Sequence, residues 1–327
     1  MSGNHNSSLD RAISLVDIAA ESGVDAVKLQ TYKADLLTIN SEHEDFIVKG
    51  GGDDWAGQTL YEIYSKGYTP WEWHEEIIDR AKKRGLLCFS SPFDETAVDF
   101  LENLNVPLYK IASPEIIDHE LIMRVAQTKK PIIISTGMAS LREIDEAVNI
   151  CRDNGNSNII LLQCTSSYPA SPENSNINTL INLRKTFNCE VGLSDHTMGL
   201  GVSIAAIALG AVVIEKHFTS SRSDGGVDSV FSLEPDELKQ LVIETKRAWL
   251  GLGSVTYGPN EEEQLSYMHR RSLYVCENIK KGEVFTKRNI RSIRPGYGIK
   301  PKYLSIVLGR KAKSDILKGT PLNFDMF

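Results

Sequence analysis

Apolar and polar positions along the chain follow two interleaved rhythms. Short apolar runs of strand length recur at residues 25–31, 86–91, 107–113, 131–136, 158–165, 190–196 and 211–217. Segments with apolar residues at helical spacing lie around and between them. Leu9, Ile13, Val16 and Ala20 mark the first, which Gly23 ends. Others cover residues 71–84, 95–104, 119–128, 141–154, 203–210 and 235–250. Such regular alternation predicts an α/β fold, a parallel sheet covered by helices.

Two stretches break the rhythm. Residues 32–70 separate the first strand from its helix and contain Gly50-Gly51-Gly52, Trp55 and Tyr61. A connection of that length is expected to act as a lid or substrate wall. Residues 251–264 turn to Gly, Pro and a run of three glutamates, which predicts a domain boundary. Beyond it, residues 272–327 alternate short β-type runs with turns such as Lys281-Gly282, Pro295-Gly296 and Lys318-Gly319. The expected organisation is a main domain at 1–255, a linker at 256–268 and a small β-rich module at 269–327.

The 327 residues suffice for one large domain and a small one, and the formal charge of -7 argues against nucleic acid or an anionic membrane as main partner. Five cysteines without paired spacing suggest reduced thiols. The opening residues lack the regions of a signal peptide, and no window is apolar enough to span a bilayer. A soluble, cytoplasmic protein is expected.

Candidate chemistry gathers at the strand ends. Two apolar runs end in histidine: Val191 and Leu193 lead to His196, and Val212, Val213 and Ile214 lead to His217, with each histidine expected as the last inward residue. A compact helical segment joins them, so the strands should lie parallel with both imidazoles at their carboxyl ends. There they can converge on one divalent ion; two hydrogen-bonded core histidines are the plainer alternative. Period-2 sorting puts Lys28 and Gln30 on one face of their strand and Val27 and Leu29 on the other, and sets Lys110 opposite Tyr109 and Ile111. Two lysines aimed into one cavity suggest an anionic ligand, while an internal ion pair with Glu115 or Glu215 carries equal weight for either lysine alone. Ser90-Ser91, Ser113, Ser135-Thr136-Gly137 and Thr165-Ser166 at successive strand ends favour phosphate or carboxylate binding. Asp228 stands close enough after the last strand to reach a metal or its water, with a turn aspartate as the plain alternative.

The motifs Ser2-Gly-Asn-His-Asn6, Asp25-Ala-Val-Lys-Leu-Gln-Thr31, Lys110-Ile-Ala-Ser-Pro-Glu115, Ile134-Ser-Thr-Gly-Met138, Gly192-Leu-Ser-Asp-His-Thr197 and Glu215-Lys-His-Phe-Thr219 resemble those of the sialic acid synthase family. Arg294-Pro295-Gly296 and Gly309-Arg310 resemble the antifreeze-like (SAF) domain of these synthases. The stretches around Trp55, Tyr68 and Asp228 are most similar to the pseudaminic acid synthase branch. The resemblance implies a (β/α)8 TIM barrel followed by an SAF domain. Family members place a strand ending in an acidic residue just before the Ser-Gly-Asn-His-Asn motif, so the first barrel strand is expected to be missing and the natural start to lie further upstream. An unclosed barrel would expose strand edges near Asp25 and Ala211.

The implied reaction condenses phosphoenolpyruvate with a 2,4-diacetamido-2,4,6-trideoxy hexose to give a nine-carbon sugar acid and phosphate. His196 and His217 would hold manganese, or magnesium or cobalt, polarising the sugar aldehyde. Lys28, Lys110, Ser91, Ser113 and Ser135 would hold the phosphate and carboxylate of phosphoenolpyruvate, and Ser194 would be a further substrate-binding residue. Gln30, Glu115, Tyr168 and Asp228 would line the sugar and water side, with Lys110, Glu115 and Asp228 in catalytic roles. Ser166 stands where sialic acid synthases have an asparagine beside the sugar, and Arg294 would reach in from the partner of a domain-swapped homodimer. Alternatives are an N-acetylneuraminate or legionaminic acid synthase, a Schiff-base aldolase using Lys110 or Lys28 without metal, and a non-catalytic sugar-binding derivative.

Overall fold

The seven apolar runs become seven parallel strands paired in chain order, each with its next neighbour. In the computed structural model, which describes residues 1–49 and 56–327, they belong to an N-terminal unit, Met1–Gly253; a second unit comprises Ser254–Phe327. Helix α1 (Leu9–Ser22) precedes β1 (Ala26–Thr31), and α2 (Ala34–Leu37), α3 (Leu60–Gly67) and α4 (His74–Lys83) lead to β2 (Leu87–Pro92). Then follow α5 (Glu95–Asn103), β3 (Tyr109–Ile111), α6 (His119–Gln127), β4 (Ile132–Ser135), α7 (Leu141–Asp153) and β5 (Ile159–Cys164). The unit ends with α8 (Thr179–Phe187), β6 (Glu190–Asp195), α9 (Gly201–Ala208), β7 (Val213–Lys216) and α10 (Pro235–Leu252).

Local chemistry sets the helix ends. Ser8 accepts a hydrogen bond from the Arg11 amide at the start of α1, and Gly23 closes that helix at φ 81°, a conformation that costs glycine no Cβ clash. Ser140 with Glu143 forms a capping box at α7, and Thr59 with Glu62 forms another at α3. That second box, together with α2, makes the 32–70 connection more structured than the sequence pattern predicts. Its Gly50-Gly51-Gly52 and Trp55 lie outside the described residues. The pattern also leaves out α8, although Leu180, Leu183 and Phe187 are buried at helical spacing.

The two phases of the strands build two cores. Tyr109, Ile111, Ile132, Ile134, Leu161, Val191 and Leu193 turn outward and pack beneath the helices, as do Val27 and Leu29 against α1 and α4. Inside, Phe89, Ile133 and Leu162 form a plug with Ala26, Leu108, Ile160 and Val213. Val191 and Leu193 are therefore not in phase with His196, as the sequence reading supposed. The inward set is Gly192, Ser194 and His196 on one strand and Val213, Glu215 and His217 on the next, because side chains alternate and odd and even positions cannot share a face. Val212 lies outside both strands and is exposed.

Strands β1 and β7 stand at the two ends of the order, and the residues Met1 to His5, with a turn at Ser2–His5, bond to β1 and to the segment directly after β7. The Met1 amine donates to the Lys28 carbonyl at 3.0 Å, and Asn4 Nδ2 donates to the Phe218 carbonyl and to Ser232 Oγ, both at 2.8 Å.

The second unit pairs β8 (Ser272–Val275) and β9 (Ile290–Ile293) antiparallel over a small core that includes Leu273, Phe285, Ile290, Val307 and Leu322. All five cysteines are free, and no helix of the described residues is long and apolar enough to cross a membrane.

Candidate active site

Above the apolar plug, at the carboxyl ends of the strands, the inward phase turns polar. β1 contributes Lys28 and Gln30, β2 Ser91, β3 Lys110, β4 Ser135, β6 Ser194 and β7 Glu215. Lys28 Nζ lies 2.8 Å from Glu215 Oε1, and Ser194 Oγ donates to the same oxygen at 2.9 Å. Lys110, 1% exposed, donates to Ser135 Oγ at 2.6 Å and to the Ile111 carbonyl at 2.9 Å. The internal ion pair weighed for Lys28 is thus present, with Glu215 as partner. Lys110 makes no such contact among the described residues, although the fields of both lysines act on Glu215.

The charges perturb one another accordingly. Burial presses the Lys110 ammonium down to about 8, with Glu215 opposing and Lys28 adding to the effect. Burial also works against the charge on Glu215, but Lys110 and Lys28 outweigh it and hold the carboxyl well below the usual range. Glu115, in the turn Pro114–Ile117 after β3, is pushed up to about 7, chiefly by burial.

Several polar atoms here lack partners. Glu115 Oε2, Ser91 Oγ and Ser166 Oγ are buried without a hydrogen bond among the described residues. Orphaned atoms of this kind are costly unless a ligand or water completes them. Ser113 Oγ accepts the Gly137 amide at 3.1 Å. A Cβ at Gly137 would stand 2.4 Å from Ser166 Oγ and 2.8 Å from Ser113 Oγ, so a side chain would fill the space that these hydroxyls border.

His196 and His217 immediately follow β6 and β7, with ring centroids 5.4 Å apart. His196 Nδ1 lies 2.9 Å from the Thr165 carbonyl, an acceptor that fixes a proton on Nδ1, so in the neutral ring Nε2 keeps its lone pair. His217 Nδ1 lies 3.2 Å from Ser2 Oγ and 3.9 Å from Asp228 Oδ2. Neither Nε2 finds a hydrogen-bond partner among the described residues, and an oriented Nδ1 is the usual support of a metal-binding imidazole. Burial, then the neighbouring His196, keeps His217 well below its ordinary value and hence neutral. For His196 burial is outweighed by Cys164 and the Thr165 carbonyl, and its value rises. Asp228 is raised mainly by burial, against the Ser2 hydroxyl and the Gly3 amide. No group of three or more His, Cys, Asp or Glu among the described residues forms a metal cage by itself. The donor set fits a divalent ion that keeps open positions.

Tyr168 packs on His196 at 4.4 Å between centroids, and Phe231 meets His217 at 5.1 Å and Tyr168 at 5.2 Å. The loop carrying Ser166 and Tyr168 is pinned by the Ala170 amide, which donates to the His196 carbonyl at 2.9 Å. The last residue singled out in the sequence is Arg294. It belongs to the second unit, directly after β9, and is exposed. Phe231 and Cys164 were missed. Cys164 shares the inward phase of Ile160 and Leu162, which sequence alternation could have revealed; nothing local marks Phe231.

The NeuB family model matches residues 15–257, and the SAF domain model matches residues 270–327. The chain belongs to the NeuB family. It is 42% identical to the pseudaminic acid synthase of Campylobacter jejuni over 98% of this chain and 93% of that protein. To the N,N'-diacetyllegionaminic acid synthase of Campylobacter jejuni it is 38% identical over 94% of this chain and 93% of that one. Among solved structures, the N-acetylneuraminic acid synthetase of Leptospira borgpetersenii, in complex with citrate, superposes with a TM-score of 0.71 at 30% identity, covering 80% of this chain and 86% of that one. This NeuB-family member is an enzyme, a synthase of nonulosonic acids with a barrel domain and an SAF domain.

Proposed function

We propose that the enzyme is a pseudaminic acid synthase, condensing phosphoenolpyruvate with 2,4-diacetamido-2,4,6-trideoxy-β-L-altropyranose and water to give pseudaminic acid and phosphate. One observation carries the anionic half: beside the Lys28–Glu215 pair, the Lys110 ammonium is enclosed without a carboxylate in contact, next to hydroxyls that have no partners. Such a cavity is short of negative charge, and a phosphate with a carboxylate supplies it. The greater identity to pseudaminic than to legionaminic acid synthases supports the choice of sugar.

In this reading Lys28, Lys110, Ser91, Ser113, Ser135 and Ser194 bind the anionic groups. Glu115, poised near neutrality, holds a proton for the aldehyde oxygen, which becomes a hydroxyl as the carbon–carbon bond forms, or for the departing phosphate. Gln30, Ser166 and Tyr168 border the sugar, Phe231 screens the imidazoles from water, and Asp228 orients water beside His217. His196 and His217 would hold a divalent ion, manganese foremost, which when bound supplies Lewis-acid polarisation of the sugar aldehyde. Arg294, from the second unit of a partner chain in a homodimer, would complete the anion site.

The lowered value of Lys110 also favours a second reading, a Schiff-base aldolase. Mass spectrometry of the product from phosphoenolpyruvate and a panel of mono- and diacetamido sugars decides the substrate; release of phosphate with no borohydride-trapped adduct on Lys110 is expected. His196→Ala and His217→Ala should each remove activity while leaving the fold intact, and the pair together should abolish the single Mn2+ site. An unchanged metal stoichiometry would defeat the metal assignment.

A further inference from the structure

Directly beside the two histidines in sequence, but on the opposite phase of their strands, lies a second pair that the reaction does not touch. Asp195 and Lys216 are partners in the β6–β7 register, with side chains 1% and 2% exposed and Oδ2 to Nζ at 2.8 Å. Asp195 Oδ1 accepts the Thr197 amide at 2.8 Å and the Thr197 hydroxyl at 2.7 Å, and Oδ2 also accepts Ser203 Oγ of α9 at 2.6 Å. Lys216 Nζ donates in addition to the Thr197 carbonyl at 2.5 Å.

Every bond in this set ends on a residue that brackets a histidine or on the helix behind them. Asp195 and Thr197 flank His196, so the peptides on both sides of that imidazole are tied to one carboxylate. Lys216 precedes His217 and is tied to the same carboxylate and to Thr197. The clamp therefore links the backbone around one histidine to the backbone leading into the other. Bulk stability is a poor reason for it. Removing two charges from water costs most of what their attraction returns, and apolar residues of similar volume often hold a core equally well. What apolar side chains cannot supply is a fixed direction and register.

We propose that Asp195 and Lys216 are positioning residues that set the spacing and tilt of His196 and His217. The inference rests on the metal reading of those histidines and deepens it. The test is calorimetric titration of the full chain with Mn2+ alone, comparing wild type, His196→Ala, Ser203→Ala and the double variant Asp195→Leu/Lys216→Met. The double variant is expected to fold, as its circular dichroism shows, with Mn2+ binding about 10- to 100-fold weaker, the usual cost of losing the groups that orient metal ligands. Ser203→Ala, which removes one partner of the carboxylate without touching either strand, should fall between the double variant and wild type. A double variant that binds Mn2+ as tightly as wild type overturns the proposal. So does one that fails to fold, because the pair would then serve the fold itself. Unchanged Mn2+ binding in His196→Ala removes the metal reading and this inference with it, a failure distinguishable from the other two.

Discussion

Lys110 is enclosed on all sides, yet its ammonium faces a hydroxyl and a carbonyl instead of a carboxylate. Its charge is expensive in the free enzyme and becomes useful when an anion arrives. Lys110→Met should therefore raise KM for phosphoenolpyruvate about 10- to 100-fold, the worth of one charge-assisted contact, without lowering the melting temperature. Glu215 keeps Lys28 as its partner in that variant. The same electrostatics fix a pH profile. With Glu115 at about 7 and Lys110 at about 8, raising the pH first adds a negative charge to the cavity and then removes a positive one. Both changes repel an anionic substrate, so kcat/KM for phosphoenolpyruvate should fall as pH rises through 7 and 8. Glu115→Gln should remove the lower step and Lys110→Met the upper; a flat profile in the wild type would contradict both placements.

At the scale of elements, the strand pair β6–β7 bears the most constraint. A Cβ at Gly192 would stand 2.4 Å from the Val213 carbonyl and 2.7 Å from Leu162 Cδ2. Gly192→Ala must push the two strands apart or tilt the plug, at a cost of about 1 to 3 kcal/mol, and should separate the histidines as well. Denaturation midpoints and Mn2+ affinity should fall together in this variant; loss of one without the other would mean that the strands move independently of the site. The strands themselves were legible because parallel sheets buried on both faces read as near-continuous apolar runs. Face assignment was legible for β1, where polar and apolar residues alternate cleanly. It failed for the runs leading to His196 and His217, where apolar residues occupy both phases and hydrophobicity alone cannot tell plug from helix side. Helix α8 was overlooked although Leu180, Leu183 and Phe187 keep helical spacing. The site's lysines, serines and histidines could be read from strand-end positions, whereas Phe231 could not, since it reaches the imidazoles through a fold of the loop after β7 that leaves no periodic trace.

For the molecule as a whole, acid stability draws on buried histidines besides the pair at the site. His5 and His74 are fully buried. His74 Nε2 lies 2.8 Å from Thr31 Oγ1, which in turn meets Ser90 Oγ at 2.6 Å, and His5 Nε2 lies 3.1 Å from Thr69 Oγ1, so the pair ties β1 and β2 to the segment that leads into α4. Burial lowers both from the ordinary 6.5 to about 4. Between those values the unfolded chain binds protons that the folded chain refuses, so their contribution to stability is present above 6.5 and lost as pH falls toward 4. Glu115 opposes them. Its value is raised from 4.5 to about 7, so the folded state binds the extra proton in that window and gains stability as pH falls. Each group is worth on the order of 2 kcal/mol between pH 7 and 5, so the two histidines outweigh the one carboxyl, and the buried His217, also held well below 6.5, adds to the loss. The N-terminal unit should accordingly melt at lower temperature at pH 5 than at pH 7. Glu115→Gln should steepen that dependence by removing the opposing group, whereas His5→Gln with His74→Gln should flatten or reverse it. Melting curves across this range check both arms, and a wild-type midpoint that holds steady or rises on acidification would show that the buried histidines do not govern it.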